Sequence, residues 1–444
     1  MLSGIEDYVR SLGLDAYLVG GAVRDELLGL ESKDADFLVP AVDTEQLRAA
    51  LAPHGRVEDL VVADRLVGVR LHPIDAGVRA LAPAGIEFAP PRKEVSTGPG
   101  RHDFEIVADA SLSVEDDMRR RDFTVNAMAR HLVDGEIVDP LGGRADLERR
   151  ILRAVSDTSF VEDPLRLIRG LRFVSQLGFE LDERTRERMS EEAPAVKLVS
   201  GERIGGGLAA DGMGELSKLL LGRHPRDALA AARETGVLVE VIPEFGPAHY
   251  LADHIFAVVQ ETANADDDLA VRLAALFHDL GKPVGSSPRG HAQVAAEIAR
   301  ATMNRLRYPT KLTRRVVAIV REHPYRAEDR PTTPRSARRF LLEHGDELAF
   351  DLIAHRLADL RAKGCDTSGL EETRELLLRE LSSPHRLQDL AVDGSDLIAI
   401  GFEEGPELGR ALQALLELVV DDPAANTRGR LLEYVHERGW LQST

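Results

Sequence analysis

The sequence predicts an α/β head followed by an all-helical remainder. From Tyr17 to about Val138, short apolar runs that end at glycine or proline alternate with amphipathic stretches, which is the pattern of strands connected by helices. From Leu147 to the C-terminus nearly every segment has the 3.6-residue periodicity of a helix, and strand patterns almost vanish. At 444 residues the chain exceeds what one hydrophobic core usually serves, so we expect several domains in series.

The composition argues against two classes of protein. The net charge is −19, so the chain as a whole would repel RNA and is not expected to coat nucleic acid indiscriminately. No apolar stretch approaches the roughly 20 residues that a membrane span needs, and the polar, acidic start is not typical of a signal peptide. Cys365 is the single cysteine, so the chain cannot form an internal disulfide. We therefore expect a cytoplasmic protein with no membrane partner, while the sequence does not predict its oligomeric state.

Positive charge is concentrated in two places despite the acidic total. The first set lies among the motifs described below and comprises Arg119, Arg120, Arg121, Arg149, Arg150, Arg153, Arg166, Arg169 and Arg172. The second set comprises Arg314, Arg315, Arg335, Arg338 and Arg339. For the second set, helix faces paired with neighbouring carboxylates and a binding surface are equally good interpretations.

A glycine pair near the start predicts a phosphate-binding turn. Apolar residues 16–19 form a short predicted strand that ends at Gly20 and Gly21, and an amphipathic helix follows. Free backbone N–H groups at such a turn can cradle a triphosphate. Arg24 lies three residues further on and can add a guanidinium to the same phosphates. Taken alone, the pair is more often a tight turn beside a surface arginine.

Two carboxylates follow on the next predicted strand. Asp34 and Asp36 are separated by one residue, so both side chains point to the same face of a strand. This geometry can hold Mg²⁺, which prefers carboxylates and retains sites for substrate phosphates. In a chain with 75 acidic residues such a pair also arises by chance, usually as a solvated turn.

The order of these motifs resembles that of one family. Segments 18–25 (LVGGAVRD) and 33–36 (KDAD) are similar to the opening of the CCA-adding enzymes (tRNA nucleotidyltransferases) and bacterial poly(A) polymerases, which belong to the DNA polymerase β-like nucleotidyltransferase superfamily. Further similar segments follow in the family's order: 91–94 (PRKE) through 98–100 (GPG), 115–127 (EDDMRRRDFTVNA), 139–143 (DPLGG) and 162–169 (EDPLRLIR). The resemblance is close over about the first 180 residues and loose over the rest.

This resemblance implies an activity and a set of site residues. The activity is template-independent addition of C and A nucleotides to the 3′ end of tRNA from CTP and ATP. The resemblance also implies that Asp34 and Asp36 bind the catalytic Mg²⁺, and that Gly21, Arg24 and Arg121 contact the incoming nucleotide.

The segment after the second strand adds two expectations. A third carboxylate often assists sites of this family, and Glu87 on the predicted strand Gly85–Ala89 is the candidate, with a solvent-facing strand residue as the alternative. Residues 83–101 carry many Pro and Gly and are predicted as a mobile loop. The part from Arg92 to Phe104 resembles the family's flexible loop. A shortened loop marks some CC-adding relatives, and here the loop is present.

A predicted helix with an arginine face starts at Asp163 and Pro164, with Asp163 as N-cap. Arg166, Arg169 and Arg172 recur every three residues along it. Asp163 and Arg166, at i,i+3, are neighbours that can address one flat ligand edge.

The chemistry of the bases gives this pair a role. Cytosine and adenine present an amino donor beside an unprotonated ring nitrogen, and uracil and guanine reverse that order. A carboxylate beside a guanidinium would accept C and A and leave buried groups unpaired against U or G, at a cost of about 1–3 kcal/mol per group. The resemblance assigns this role to Asp163 and Arg166, with Arg169 and Arg172 nearby. An N-cap with an i,i+3 ion pair is the alternative.

The second half of the chain carries a metal-type motif. His278 and Asp279 close an apolar predicted helix over Leu269–Leu280, with His254 upstream and Asp359 downstream. This order resembles the HD phosphohydrolase superfamily, in which two His and two Asp hold a metal for phosphoester hydrolysis. Imidazole with carboxylate suits Ni²⁺, Mn²⁺, Fe²⁺ or Zn²⁺. Two further candidate ligands are His291 and His323. The alternative is a helical body whose histidines have structural partners.

The predicted domains run in series along the chain. They are a nucleotidyltransferase head (1–140), a helical neck for base recognition (141–205), a helical body (206–245), an HD-type helical domain (246–370) and a helical tail (371–444) that by the resemblance would contact tRNA. Partial CC- or A-adding enzymes and poly(A) polymerases remain open alternatives. An alternative of another class is an HD phosphohydrolase with a nucleotide-binding head, against which the intact Asp34/Asp36 pair argues.

Overall fold

The structure is a computed structural model that describes residues 2–31, 35–62, 65–96, 104–108, 111–206, 212–284, 287–324 and 330–440. The chain divides into two compact units. The first unit comprises residues 1–246 and 305–308, and the second comprises residues 247–304 and 309–444.

A mixed β-sheet organises the N-terminal half of the first unit. The strands here are β1 (Tyr17–Val19), β2 (Asp36–Leu38), β3 (Gly55–Val62), β4 (Arg65–Pro73), β5 (Ile86–Ala89), β6 (Arg92–Ser96), β7 (Phe104–Ala108), β8 (Ala129–His131) and β9 (Ile137–Val138). The seven-stranded sheet has the order β3-β4-β5-β2-β1-β8-β9, and β6 pairs with β7 separately. Within the larger sheet β2 and β5 are parallel, and the other neighbours are antiparallel.

Helices cover both faces of this sheet. They are α1 (Leu2–Ser11), α2 (Gly21–Leu27), α3 (Thr44–Leu51), α4 (Ala76–Leu81), α5 (Val114–Arg119) and α6 (Gly143–Arg149). Phe37 packs into the core that α1 and α3 share, whereas Leu38 packs with Met118 of α5. Because alternate residues of a strand point to opposite faces, Asp36 shares the face of Leu38, on the side of α5.

The rest of the first unit is mainly helical. It contains β10 (Ile151–Leu152), α7 (Ser159–Glu162), α8 (Leu165–Leu177), β11 (Glu180–Leu181), α9 (Glu183–Glu192), α10 (Gly201–Ile204), α11 (Glu215–Leu220), α12 (Pro225–Glu234) and α13 (Val237–Val241). Helix α8 buries an i,i+4,i+7 stripe of Leu167, Leu171 and Val174. It ends at Gly178, whose φ of 67° is the left-handed conformation that terminates many helices.

The second unit is helical throughout its described residues. Its helices are α14 (Ala252–Asn264), α15 (Leu269–Phe277), α16 (Pro288–Arg305), α17 (Thr310–Glu322), α18 (Pro334–His344), α19 (Asp346–Ala362), α20 (Ser368–Glu380), α21 (Gly394–Ala399), α22 (Pro406–Asp421) and α23 (Arg428–Glu437). Residues 270–277 of α15 are all buried, so this helix is central, while Leu397, Leu415 and Leu431 centre a separate core near the C-terminus. None of the described helices combines the length and the apolar composition needed to cross a membrane.

The structure confirms the predicted fold class, an α/β head followed by helices, and corrects two details. Residues 86–89 form β5 at the predicted strand Gly85–Ala89, but residues 92–96 form β6 where we predicted a loop. The ladder with β7 supplies the backbone partners of β6, so these residues form a strand without an alternating apolar pattern. A short parallel pair, β10 with β11, also interrupts the region predicted as helical.

Candidate functional site

The predicted glycine turn connects β1 to α2. Gly20 has a φ of 72°, which L side chains rarely adopt, and a Cβ at this position would collide with the guanidinium of Arg121. Gly21 begins α2 directly afterwards. The turn therefore favours glycine mainly for its backbone conformation, and it lies next to an arginine of the second motif.

Asp36 is the described member of the predicted carboxylate pair, and Asp34 lies outside the described residues. Asp36 stands opposite Glu87 in the parallel register of β2 and β5, and both line a cavity of about 400 Å³. Glu87 also forms an ion pair with Arg70. The sheet thus places the two carboxylates on neighbouring strands, although 51 positions of sequence separate them.

A larger cavity of about 690 Å³ brings the motifs of the first unit together. Its volume lies within the range of small-molecule sites, which is about 300–1,000 Å³. The predicted residues that line it are Gly21, Arg24, Asp36, Arg121, Asp163, Arg166, Arg169 and Arg172. The residues predicted to bind phosphate, the predicted metal-binding carboxylate and the Asp–Arg pair predicted to recognise the base therefore line one cavity.

Arg24 and Arg121 are both held by polar partners in the cavity wall. Arg24 Nη1 donates to Asn126 Oδ1 at 2.6 Å, and Nε donates to Asp25 Oδ1 at 2.8 Å. Arg121 Nη2 donates to Asp117 Oδ2 at 3.3 Å. Burial alone would raise the pKa of Asp117, but the adjacent guanidinium groups outweigh burial and hold that pKa below its ordinary value.

Asp163 and Arg166 line the same cavity but have separate partners. Asp163 is extended, its side chain accepts a hydrogen bond from a backbone N–H at the start of α8 at 3.0 Å, and its Oδ2 lies 3.7 Å from an Arg203 nitrogen. Arg166 is buried; its Nη2 donates to the backbone oxygen of Arg120 at 2.8 Å and its Nη1 to Glu162 at 3.3 Å. The N-cap of α8 is Pro164 rather than the predicted Asp163, whose side chain still accepts from the first N–H group of the helix, and the ion pair of Arg166 is with Glu162.

Two buried carboxylates that the sequence analysis did not single out anchor the remaining arginines. Arg169 donates to Asp122 Oδ2 through Nε at 3.0 Å and Nη2 at 2.7 Å. Arg172 Nη1 lies 3.0 Å from Glu215 Oε2. Burial alone would raise the pKa of Asp122, but the Arg169 guanidinium lowers it well below its ordinary value. Burial lowers the pKa of Arg172 to about 10, although Glu215 opposes that shift.

The four residues predicted for the HD-type site lie together in the second unit. His254 is on α14, His278 and Asp279 directly follow α15, and Asp359 is on α19. His254 Nε2 lies 3.2 Å from Asp359 Oδ1 and 3.6 Å from Asp279 Oδ2. His278 Nε2 lies 3.2 Å from Asp279 Oδ2. Folding therefore gathers this predicted set into one cluster, which we call the histidine cluster.

The two additional candidate histidines belong to the same cluster. His291 Nε2 and His323 Nε2 lie 3.7 and 3.9 Å from Asp279 Oδ1, and 3.1 Å from each other. The candidate ligand atoms form two groups, and within each group they lie within 4.8 Å of one another. The first group is His254, His278 and Asp359, and the second is Asp279, His291 and His323. The two oxygens of Asp279 face different groups.

Several buried polar atoms of the histidine cluster lack a hydrogen-bond partner among the described residues. They are Nε2 of His254, His278 and His355, whereas Oδ1 of Asp359 lies 2.7 Å from Lys363 Nζ. Leaving such an atom unpaired costs about 1–3 kcal/mol. Burial lowers the pKa of His323 to about 3, so its imidazole is neutral, which is the form that binds metal. Unpaired ligand atoms and a neutral imidazole fit a metal ion.

His355 is a member of this cluster that the sequence analysis missed. Its ring centroid lies 5.1 Å from that of His278 and 5.7 Å from that of His323, and burial lowers its pKa well below the ordinary value. His355 and Asp359 are four residues apart on α19 and so share a helix face. This four-residue spacing from Asp359 was the feature of the sequence that could have identified His355.

The second basic set is paired with carboxylates where its partners are described. Arg315 donates to Asp351 at 2.6 and 2.7 Å, and both Arg335 and Arg339 donate to Asp421. The structure therefore favours solvated or anchored helix faces over a free basic surface for these three arginines.

Comparison with known proteins gives three family matches. The poly A polymerase head domain matches residues 16–153. The family described as "Probable RNA and SrmB- binding site of polymerase A" matches residues 178–248, and the HD domain matches residues 251–362. The first match contains the glycine turn and Asp36, and the HD match contains all seven histidine-cluster residues, from His254 to Asp359.

Whole-chain relatives agree with these matches. A "Multifunctional CCA protein" from Aromatoleum aromaticum is 35% identical over 80% of this chain and 84% of its own length. A "CC-adding tRNA nucleotidyltransferase" from Thermus thermophilus is 34% identical over 91% of this chain and 89% of its own. The crystal structure of the Bacillus stearothermophilus CCA-adding enzyme in complex with CTP superposes with a TM-score of 0.69 at 27% identity, covering 98% of this chain and 96% of that one. The chain therefore belongs to the CCA-adding tRNA nucleotidyltransferase family and is a nucleotidyltransferase.

Proposed function

We propose that this nucleotidyltransferase adds C and A nucleotides to the 3′ end of tRNA, taking them from CTP and ATP without a nucleic-acid template. The observation that carries the proposal is the single cavity lined by Asp36, by Arg24 and Arg121, and by Asp163 and Arg166. It combines a carboxylate that can bind a metal ion, arginines that can bind phosphates, and an Asp–Arg pair that suits the base edge shared by cytosine and adenine. The Bacillus relative with CTP bound supports the same substrate class.

The family depends on a divalent metal, and we propose Mg²⁺ at Asp34 and Asp36, with Glu87 as a third carboxylate beside Asp36. Oxygen ligands of this kind suit Mg²⁺. When bound, such ions activate the attacking hydroxyl and stabilise the leaving pyrophosphate. In the reaction the 3′ oxygen of the RNA bonds to the α-phosphorus while the bond to the pyrophosphate oxygen breaks.

The residues around the glycine turn bind the triphosphate in this proposal. Gly21 presents its backbone N–H group at the start of α2, whereas the Gly20 N–H donates to the backbone oxygen of Met128. Arg24 and Arg121 supply guanidinium charges from the wall of the same cavity. Because Arg24 and Arg121 are already held by Asn126 and Asp117, little side-chain entropy is lost when the nucleotide binds.

Base selection is proposed to fall to Asp163 and Arg166, with Arg169 and Arg172 nearby. The Asp163 carboxylate accepts from the exocyclic amino group, and the Arg166 guanidinium donates to the ring nitrogen. Arg166 is fixed by the Arg120 carbonyl and by Glu162 before any nucleotide arrives. A fixed donor discriminates more strongly than a mobile one, because it cannot turn to suit uracil or guanine.

The domain scheme completes the proposal. Head (1–140), neck (141–205), body (206–245), HD-type domain (246–370) and tail (371–444) would act in sequence on one RNA, with the tail contacting tRNA. We also propose that the protein works in the cytoplasm. Its exposed Cys365 is compatible with a reducing compartment.

One assay tests the main proposal. The full chain is incubated with Mg²⁺, a tRNA that ends at the discriminator base and each nucleotide triphosphate alone or in pairs, and the products are mapped. We expect CTP alone to add C residues and CTP with ATP to complete CCA. Addition of CC only would assign a CC-adding enzyme, a long A tract would assign a poly(A) polymerase, and no extension with any triphosphate would refute the proposal.

A second function is favoured by the unpaired ligand atoms of the histidine cluster. We propose that His254, His278, Asp279 and Asp359 hold a transition metal (Ni²⁺, Mn²⁺, Fe²⁺ or Zn²⁺) and that this centre hydrolyses phosphoesters. Nε2 of His254, His278 and His355 is buried without a hydrogen-bond partner among the described residues, an arrangement that a bound ion would satisfy. The name of the Aromatoleum relative, "Multifunctional CCA protein", is compatible with a second activity of this kind.

Metal analysis and hydrolysis test this second function. The purified protein is analysed for bound metals, loaded with Ni²⁺ or Mn²⁺, and offered phosphomonoesters and cyclic phosphodiesters. We expect bound transition metal and turnover of one of these classes. If the loaded protein hydrolyses neither class, the histidine cluster is a scaffold of the fold.

A further inference from the structure

The ring of Phe173 lies in the wall of the nucleotide cavity and is surrounded by positive charge. Phe173 is on α8, is 4% exposed, and lines the 690 Å³ cavity. The guanidinium carbons of Arg172, Arg24 and Arg169 lie 4.3, 5.4 and 5.9 Å from the ring centroid. Each distance is within the roughly 6 Å at which a cation is attracted to an aromatic face.

The same three arginines are anchored at their polar ends in a connected set of contacts. Arg24 donates to Asn126 at 2.6 Å, and Asn126 Nδ2 donates to Asp122 at 3.1 Å. Asp122 in turn accepts two hydrogen bonds from Arg169. The set is completed by Glu215, which pairs with Arg172 at 3.0 Å and lies 3.8 Å from Arg169. Each arginine is therefore held both by a polar partner and by the Phe173 ring.

Arg24 comes from α2, whereas Arg169 and Arg172 come from α8. The ring thus contacts both the arginine that follows the glycine turn and the two arginines of α8, the helix next to the residues proposed to recognise the base. An edge-on contact with Phe123, at 5.8 Å between centroids and 80° between planes, fixes the orientation of the ring itself. The carboxylates hold the polar ends of these arginines, and the ring is the apolar face that all three guanidinium groups share.

We propose that Phe173 is a positioning residue for nucleotide selection, acting through Arg24, Arg169 and Arg172. The inference rests on the proposed nucleotide addition and goes beyond it. Because guanidinium groups surround the ring, we assign it no stacking contact with the incoming base. Its contribution is to hold the three guanidinium groups in one fixed arrangement before the nucleotide enters.

The test compares two substitutions at Phe173 with a matched one elsewhere. Phe173→Met keeps an apolar side chain of similar length but removes the aromatic face, and Phe173→Tyr keeps that face. Phe179→Met is the control, since Phe179 is buried to the same degree, 3% exposed, and has no guanidinium contact among the described residues. Binding of CTP, ATP and UTP to the full chain is measured by calorimetry without tRNA, and single-turnover addition is measured with tRNA.

For Phe173→Met we expect the KM for CTP and ATP to rise about tenfold and the CTP-over-UTP preference to fall about tenfold, while kcat stays within about threefold of wild type. Phe173→Tyr should restore both values to within about twofold. A loss of packing alone would lower stability equally in Phe179→Met without moving the preference.

Three outcomes would overturn the inference. They are an unchanged preference in folded Phe173→Met, an equal shift of preference in Phe179→Met, and failure of both Phe173→Met and Phe173→Leu to fold, which would assign the ring to the core. If wild type binds nucleotides but extends no RNA, the proposed addition fails instead, and the calorimetric comparison still decides the role of Phe173.

Discussion

The nucleotide cavity and the histidine cluster bury different kinds of polar group. In the cavity the buried groups are mainly arginines, each paired with a carboxylate: Arg24 with Asp25, Arg121 with Asp117, Arg166 with Glu162, Arg169 with Asp122, Arg172 with Glu215 and Arg203 with Asp163. In the histidine cluster the buried groups are mainly imidazoles, and Nε2 of His254, His278 and His355 has no hydrogen-bond partner among the described residues. The carboxylates of this cluster are paired, Asp279 with Lys282 and Asp359 with Lys363.

This difference indicates what each region lacks. A cavity whose cations are already paired is rigid and partly neutralised, so it can receive an anionic substrate and release a product without rebuilding its wall. A cluster whose imidazole nitrogens have no hydrogen-bond partner is incomplete by itself, and a resident metal ion would complete it.

The largest expected effect comes from one substitution, Asp36→Asn, which should impair the nucleotide cavity and leave the histidine cluster unaffected. Asp36→Asn should lower nucleotide addition by at least about 10³-fold, because the amide cannot supply the charge that holds the catalytic metal. Asp36 is exposed, so no core is disturbed, and phosphoester hydrolysis should be unchanged. Single-turnover extension of tRNA measures the effect, with the exposed Asp134→Asn as control. Asp34→Ala should behave like Asp36→Asn, and near-normal extension by both folded variants would remove the pair from the mechanism.

The reciprocal change should silence the histidine cluster alone. His278→Ala or Asp279→Ala should reduce bound metal to background and abolish hydrolysis, while nucleotide addition stays within about twofold of wild type. The two regions lie in different compact units with their own cores, so local damage need not spread. Metal analysis, hydrolysis and tRNA extension are measured together, with His436→Ala on α23 as control. Loss of tRNA extension in the folded variants would show that the two regions depend on each other.

A third change tests whether the pairing in the cavity stabilises the fold. Asp122→Asn removes the nearer of the two anions beside Arg169 and leaves Glu215 at 3.8 Å. We expect a loss of about 2 kcal/mol of unfolding free energy, below the value for a fully buried pair because a third of the Arg169 side chain is exposed. Urea unfolding followed by circular dichroism measures the loss, with the exposed Asp227→Asn as control. No loss relative to that control would mean that the pair does not stabilise the first unit.

The same pair predicts a pH dependence of known sign. The folded-state pKa of Asp122 is lowered below its ordinary value. Its stabilisation is therefore complete above the unfolded-state pKa of about 3.9 and is lost as pH falls towards the folded-state value. The difference in stability between wild type and Asp122→Asn should be constant near neutral pH and shrink as the pH drops below about 3.9. A difference that grows with acid would contradict the assignment.

The smallest expected effect concerns selectivity. Asp163→Ala and Arg166→Ala should each weaken discrimination against UTP and GTP about tenfold, since one hydrogen-bonding group contributes about 1–3 kcal/mol. Triphosphate affinity should change by less than about threefold, because the phosphate-type arginines are intact. Single-turnover rates with all four triphosphates measure both quantities. Unchanged selectivity in both variants would exclude this pair as the base reader.

Local patterns were sufficient for several parts of the fold and of the candidate sites. The glycine turn, the strand that carries Asp36 and the helix after Asp163 are each coded by residues close together in sequence, and the structure has them where the patterns place them. The order of His254, His278, Asp279 and Asp359 was sufficient to expect one cluster. Strand β6 was missed because the backbone partners of β7, rather than an apolar alternation, make it a strand.

By itself, the sequence determined the fold class, the family and the types of residue that each site uses, since these depend on periodicity and on short motifs. Only the tertiary structure decided which partner holds each charged group. Asp122 pairs with Arg169 across 47 positions and Glu215 with Arg172 across 43, and His355 joins His278 and His323 from separate helices. Short-range sequence patterns do not predict such pairs. A buried charge must be paired, and the packing of elements that are distant in sequence determines which partner lies close enough.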